Sequence, residues 1–319
     1  MSTPKILVLG GSGFIGSQIC EQLTRLGWHI TVPTRHALNA AHVQSLPGLT
    51  VIEASVHNST DLARLMPGHD AVVNLVAVLH GNEARFEHVH VELPGKIASA
   101  MKKAGVQRLV HVSALGADAQ GPSLYQRSKF QGETVLHNAD LGLTVLRPSV
   151  VFGAGDHFLN LFADLQSVLP FMPLAGSDTR FQPVWVGDVA RAVVACLQNP
   201  DSVGQTYELC GPEVLSLGQL VHLAGQWAGV NHGQGRPVIG LPHWVGWLQA
   251  LAMELAPGEP LMSRDNLASM QVDNVATGKR PGLQALGIDP APAAGVAPAY
   301  LGRRGPRSKM DIWRAHAGR

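Results

Sequence analysis

KILVLGGSGFIGSQI, residues 5–19, joins an apolar, β-rich run to a helical pattern through glycines at 10, 13 and 16. Each glycine has a mechanical reading. Gly10 permits the tight turn out of the strand, Gly13 lets the backbone approach a pyrophosphate, and Gly16 lets the helix pack closely on the strand. Unpaired N–H groups and the dipole at the helix start then favour an anion. Phe14 and Ile15 lie between the last two glycines and face the same ligand. The stretch predicts the opening of a dinucleotide-binding βαβ unit.

Further short apolar runs follow: HITVPT (29–34), TVIEA (50–54), DAVVNLVAVL (70–79), RLVHVSAL (108–115) and LTVLRPSVVFG (143–153). Helical segments such as IGSQICEQLTRLG and GKIASAMKKAG separate them, each closed by a glycine. Nearly continuous apolar runs are strands covered on both faces, and their alternation with helices predicts an α/β fold with a Rossmann-type doubly wound parallel sheet. QTYELCG (205–211) reads as a late strand returning to that sheet. Beyond about residue 150, Gly- and Pro-rich connections separate helical pieces without clear strand alternation. The expected organisation is a dinucleotide-binding domain over 1–150, a smaller, mostly helical substrate or partner lobe over 151–302, and a basic tail over 303–319. Within the lobe, DPAPAAGVAPAYLG (289–302) reads as an extended linker.

The chain has 319 residues, 45% hydrophobic and 15% charged, which is a globular balance. A formal net charge of +1 gives no whole-chain argument for nucleic acid. The tail from Arg303 holds six basic residues and one Asp, a net of +5, leaving −4 elsewhere; it reads as a solvated end or as a contact for a partner or an anionic surface. Cys20, Cys196 and Cys210 form no CxxC and sit in apolar stretches, as buried free thiols in a reducing compartment do. Glu87, His88, His90 and Glu92 lack the i, i+4 histidine spacing of a metal site, so no metal is expected. No run reaches the ~20 apolar residues of a membrane span. The first strand-like run starts at Lys5, leaving no room for a signal or transit peptide. The expectation is a cytoplasmic protein, with attachment at the inner face of a membrane as the peripheral alternative.

The end of the second strand chooses the nucleotide. A carboxylate there holds the 2′-hydroxyl of NAD, whereas an arginine accommodates the 2′-phosphate of NADP. This strand ends VPTRHA, so Arg35 and His36 favour NADP(H) over NAD(H). Ser55 and Val56 follow the third strand, where no acidic residue stands for the adenine amino group. Val76 and Ala77 after the fourth strand, and Pro148 and Val151 after the sixth, complete the expected cofactor-facing set.

SLYQRSKFQGE, residues 123–133, carries the chemistry. Tyr125 and Lys129 share a helix face at i, i+4. A nearby ammonium favours the phenolate and brings a phenol of pKa ~10 toward the working pH. Taken alone, the pair is equally a surface feature. Ser113 at a strand end and the glycine loop together make it a site.

Together, the glycine pattern, Ser113 and Tyr125-x-x-x-Lys129 resemble the extended short-chain dehydrogenase/reductase superfamily. That resemblance implies that Tyr125 is the general acid/base, that Ser113 holds the substrate oxygen, and that Lys129 binds the nicotinamide ribose and lowers the tyrosine pKa. His90 departs from the superfamily's common asparagine, and Pro94 follows it. NLVAVLHG, AGVQRLVHVSALGAD, LRPSVVFGAGDHFLN, QPVWVGDVARAV and LMSRDNLASMQVDN resemble more closely the alpha-subcomplex subunit 9 family of respiratory complex I (NADH:quinone oxidoreductase) and its bacterial relatives. That family holds NADPH for structure or regulation, and relatives in the wider group act in quinone or isoprenoid metabolism.

Two functions therefore stand open. One is an NADP(H)-dependent oxidoreductase on a carbonyl or alcohol, with an isoprenoid- or quinone-like small molecule as substrate. The other is a non-catalytic, NADPH-holding accessory or assembly subunit of a respiratory complex. A homodimer through the helices beside the tyrosine is common in the superfamily. PHWVGWLQALAMELAP (242–257) places Trp244, Trp247, Leu248, Leu251 and Leu255 on one stripe; it is core, a cover for an apolar substrate, or a membrane or partner contact. Arg147 is either a nicotinamide neighbour or half of a structural ion pair.

Overall fold

The computed structural model describes residues 3–255 and 260–302. In chain order the elements begin β1 (Lys5–Leu9), α1 (Phe14–Arg25), β2 (His29–Thr34), β3 (Leu49–Glu53), α2 (Ser59–Leu65), β4 (Ala71–Asn74) and α3 (Glu83–Glu87). A single π-turn, His88–Glu92, leads into α4 (Leu93–Ala104). Then come β5 (Arg108–Val112), α5 (Leu124–His137), β6 (Gly142–Pro148), β7 (Val151–Phe152), α6 (Leu159–Val168), β8 (Met172–Ala175), β9 (Arg180–Phe181) and β10 (Val184–Trp185). The chain continues through α7 (Val186–Gln198), β11 (Thr206–Leu209), β12 (Leu215–Ser216), α8 (Leu217–Trp227), β13 (Val238–Leu241), α9 (His243–Leu255), α10 (Arg264–Ser269) and α11 (Ala293–Leu301).

Two compact units divide these elements. Among the described residues, the first comprises those up to 148, 186–209 and 276–289; the second comprises those in 149–185, 210–275 and 290–302. Both are discontinuous, so α7 and β11 belong with the N-terminal strands.

The first unit is a seven-stranded sheet in the order β11-β6-β5-β4-β1-β2-β3, with every pairing parallel. The strand order reverses between β1 and β4, and the crevice beyond the carboxyl ends at that point is where doubly wound sheets bind ligands. β4 and β11 are buried along their whole length, while edge strand β3 is only partly covered. Leu7, Leu9, Val72 and Leu109 pack with Leu62, Leu93, Ile97 and Met101 of the covering helices. Local signals set the helix ends: Asn58 caps α2, Ser123 and Gln126 form a capping box on α5, and Gly105 closes α4 in the left-handed region (φ 73°). Arg108 fastens the amino end of β5, donating to the carbonyls of Leu109, Gly142 and Cys196 and to the hydroxyls of Thr144 and Ser202.

In the second unit, Phe152, Leu159, Leu174, Leu217, Leu220 and Leu301 form a core of their own. Three two-stranded pairings, β7·β10, β8·β13 and β9·β12, replace the strand-free texture that the sequence suggests. They are two to four residues long, too short for a period-2 pattern to register. Asp156 stitches the β7–α6 turn by accepting from the N–H groups of Gly153, Phe158 and Asn160 and from the Tyr300 hydroxyl. The expected linker over 289–302 is instead mostly helix. Pro292 sits at its N-cap, and Ala293, Ala297 and Leu301, four residues apart, bury one stripe. The prolines disguise that spacing. The basic tail lies outside the described residues.

Gly132 marks the tightest contact of α5: a Cβ there would overlap the carbonyl oxygen of His90 in the π-turn. Gly132→Ala should lower unfolding stability by about 2–3 kcal/mol, read by denaturant titration. A change below ~0.5 kcal/mol would contradict the contact.

Candidate nucleotide and catalytic site

The glycine loop closes directly after β1. Gly10 has φ +87°, and a Cβ on it would press on Leu75 Cβ at 3.2 Å and Val76 N at 3.5 Å, so the loop after β1 meets the loop after β4 at the sheet's switch point. Gly13 is the N-cap of α1 with no side-chain hydrogen bond. Its N–H donates to the Gly10 carbonyl at 3.0 Å. A Cβ on Gly16 would overlap the Gly10 carbonyl oxygen, so only glycine lets Phe14 and Ile15 open the helix this close to the turn. An uncapped helix start wrapped in a glycine cradle fits a diphosphate.

Arg35 and His36 are exposed just past β2. Glu53, the carboxylate on the neighbouring strand end, is held by the Ala37 N–H at 2.8 Å. Past β3, Ser55 is partly buried and donates its N–H to Asp61 at 2.9 Å. The sequence reading missed Asp61, the third residue of the Asn58-capped α2, as a carboxylate returning to the strand end. Val56 and Val76 pack on the core beneath the two loops, while Ala77 is exposed. The reading also missed His57. Its ring stacks on His88 (centroids 4.7 Å apart), its carbonyl accepts from Lys96 Nζ at 3.3 Å, and its Nδ1 is buried without a partner. Burial, followed by the positive groups His88, Lys96 and Arg35, lowers the His57 pKa. Arg35, His57 and Lys96 thus form one basic cluster, signalled in the sequence only by His57 following Ser55-Val56.

Ser113 continues β5 and is 5% exposed; its N–H donates to the Leu146 carbonyl at 2.7 Å, but its Oγ has no partner. A buried hydroxyl without a bond costs about 1–3 kcal/mol, which a ligand oxygen would recover. Lys129, 2% exposed, reaches from α5 to the Val112 carbonyl at 3.1 Å, one residue before Ser113. Tyr125 lies one turn earlier on the same face. Contrary to the lowering expected from Lys129, burial pushes its phenol up to about 12; burial also brings the Lys129 ammonium down to about 8, partly restored by Glu133. His111, behind the site on β5, accepts from Asn74 Nδ2 at 3.1 Å, and burial followed by Lys129 holds its pKa low. Of its two readings, Arg147 shows the ion pair: it grips buried Glu133 through two bonds of 3.0 and 2.6 Å. Pro148 ends β6 and accepts from the Leu115 N–H at 2.8 Å. Val151 lies in the second unit, on β7 opposite Val184.

The α9 stripe is not core. Gly246 and Ala250 are the buried residues of the helix, whereas Trp244 is 68% exposed and Leu255 79%, with Trp247 and Leu248 also outward. A Cβ on Gly246 would overlap that of Ala175, so the small side packs and the large side faces water. Arg264 covers Trp247 at 5.6 Å and pairs with Glu254 at 2.8 Å. No helix among the described residues is long and apolar enough to cross a membrane.

Lys129 makes a pH prediction. Its folded pKa lies below the unfolded value, so the unfolded chain binds more protons between about pH 8 and 10.5 and stability rises across that window. The contribution is on the order of 3 kcal/mol. It is read as the difference between the unsubstituted protein and Lys129→Met, because the Tyr125 phenol opposes it above pH ~10. Parallel stability–pH curves would contradict the buried ammonium.

The NAD dependent epimerase/dehydratase family model matches residues 6–210. The alpha subcomplex subunit 9 of mitochondrial NADH dehydrogenase [ubiquinone] 1 from Mus musculus is 33% identical over 293 residues, covering 89% of this chain and 76% of the relative. A ceramide reductase from Caulobacter vibrioides is 26% identical over 197 residues, 61% of each chain. Among solved structures, the dTDP-glucose 4,6-dehydratase DesIV of Streptomyces venezuelae, with NAD and TYD bound, superposes with a TM-score of 0.74 at 21% identity, covering 96% of this chain and 98% of that one. The chain belongs to the NAD dependent epimerase/dehydratase family, and within it is related to the alpha subcomplex subunit 9 proteins.

Proposed function

We propose that this protein is an NADP(H)-dependent oxidoreductase acting on the carbonyl or alcohol of an apolar, isoprenoid- or quinone-like molecule. The observation that carries the reading is the buried, partnerless Ser113 hydroxyl beside the strand-end carbonyl that holds Lys129. Bound NADP(H) would exchange a hydride with the substrate carbon. Ser113 donates a hydrogen bond to the substrate oxygen, and Tyr125 passes its phenolic proton to that oxygen as negative charge develops there. The charged Lys129 stabilises the resulting phenolate. A phenol held near 12 beside an ammonium near 8 is a proton donor at neutral pH, which favours the reducing direction. Gly10, Gly13 and Gly16 would hold the diphosphate at α1, and Arg35 with His57 and Lys96 would face the additional phosphate that distinguishes NADP from NAD.

A second reading, as a nucleotide-holding accessory subunit of a respiratory complex, draws on a different observation. α9 turns its tryptophans and leucines to solvent, an apolar face suited to a protein or peripheral membrane partner. The names of the subunit 9 relatives add weight to it.

Thermal-shift assays separate the nucleotides. At a hundred times its dissociation constant, NADPH should add about 2.7 kcal/mol of stability, NADH less, and Arg35→Glu should reverse the order. Equal shifts would remove the NADP reading. Tyr125→Phe should cut NADPH-dependent reduction across a panel of apolar ketones, aldehydes and quinones by at least about a hundredfold, with NADPH affinity retained. Absence of turnover by the parent protein, together with co-purification of respiratory subunits lost on Trp247→Ser, would favour the accessory role.

A further inference from the structure

His90 makes two bonds that fix its state. The Val78 N–H, which can only donate, points at its Nε2 at 3.2 Å, so the neutral ring must carry its proton on Nδ1. Nδ1 lies 2.9 Å from Ser128 Oγ, and that hydroxyl donates onward to the Tyr125 carbonyl at 2.9 Å. The ring also stacks on Phe86 (5.5 Å) and meets Tyr125 edge-on (5.5 Å). Its own carbonyl abuts Gly132, two turns along α5 from Tyr125. The π-turn at His88–Glu92 makes this geometry: the extra residue in the turn carries the His90 carbonyl and ring together toward α5.

Val78 belongs to the loop after β4, which meets the glycine loop at Gly10. The Ser128 and Tyr125 bonds belong to the helix that bears the acid/base pair. We propose that His90 is a positioning residue tying the loop after β4 to the catalytic face of α5, so that the backbone beside the glycine loop and the Tyr125 ring are held as one piece. The proposal rests on the dehydrogenase reading of Tyr125. It makes His90 a tether and not a proton carrier: burial, followed by the Lys129 charge, brings its pKa down to about 3, so the ring stays neutral at any working pH. The groups facing it are Lys129 and Tyr125 of α5, with His111 behind on β5 also neutral.

His90→Phe keeps a ring and loses both bonds, while His90→Gln keeps an acceptor for Val78 and a donor for Ser128. His90→Phe should weaken NADPH binding about tenfold and shift the Tyr125 ring resonances, assigned by their loss in Tyr125→Phe; His90→Gln should recover affinity to within about threefold. Ser128→Ala should weaken binding in the parent but not in His90→Phe, because the tether is already cut. Unchanged Tyr125 resonances and affinity in a folded His90→Phe, or additive losses in the double variant, would overturn the proposal. If His90→Phe does not fold, nitrogen NMR of the unsubstituted protein decides. An Nδ1–H tautomer that does not titrate between pH 5 and 8 supports the tether, and an Nε2–H or titrating ring overturns it. Failure of the dehydrogenase reading would appear elsewhere, as a parent protein that binds no NADPH or a Tyr125→Phe variant that still turns over, since the tautomer and the ring resonances are read without nucleotide.

Discussion

The first unit depends on a helix that must bury a polar face. Ser128, Lys129 and Glu133 of α5 are all nearly inaccessible to solvent, and a buried charge without a partner is among the costliest things a fold can contain. Each is answered from a different element: the end of β5 takes Lys129, β6 supplies Arg147 to Glu133, and the π-turn supplies His90 to Ser128. β5, β6 and the α3–α4 connection are thereby placed relative to α5 by hydrogen-bond geometry, where apolar packing alone would tolerate sliding. The site lies where those obligations converge. Lys129 owes its low pKa to burial, and the Glu133 charge offsets part of that effect.

Local features were legible in the sequence. The turn at Gly10 and the close helix start at Gly16 are legible because each answers a constraint within six residues of itself. The helical spacing of Tyr125 and Lys129, and Ser113 at a strand end, are likewise short-range facts. What stayed hidden was long-range. His90 and Ser128 are 38 residues apart, and nothing between them signals a π-turn. Arg147 beside Pro148 looked equally like a ligand neighbour or an ion pair, and only the approach of α5 to β6 decides for Glu133. The basic cluster beside Arg35 draws Lys96 from a helix sixty residues on.

One misreading and one question the sequence left open share a cause. A stripe of large apolar residues indicates which face of a helix is hydrophobic, not which face meets the protein. In α9 Gly246 makes the tight approach to Ala175 and Ala250 is the other buried residue, so close packing selects the small face and leaves the tryptophans outside. In α11 the same preference for small residues buries Ala293 and Ala297, in a segment whose prolines suggest an extended chain. In both helices most of the buried contact is written in alanine or glycine, residues that carry little hydropathic signal.

The interleaving of the two units has a consequence for synthesis on the ribosome. β6 remains an open edge until β11, some sixty residues later, arrives to pair with it. α1, the helix behind the glycine loop, packs against α7, which is made only after 185 residues have emerged. The segment 276–289 completes the edge last, where Thr277 donates to Glu208 and Pro281 accepts from its N–H. A nascent chain of 150 residues would therefore present an unpaired strand and an uncovered helix, the features that invite chaperones and aggregation. The nucleotide cradle is encoded first and finished late.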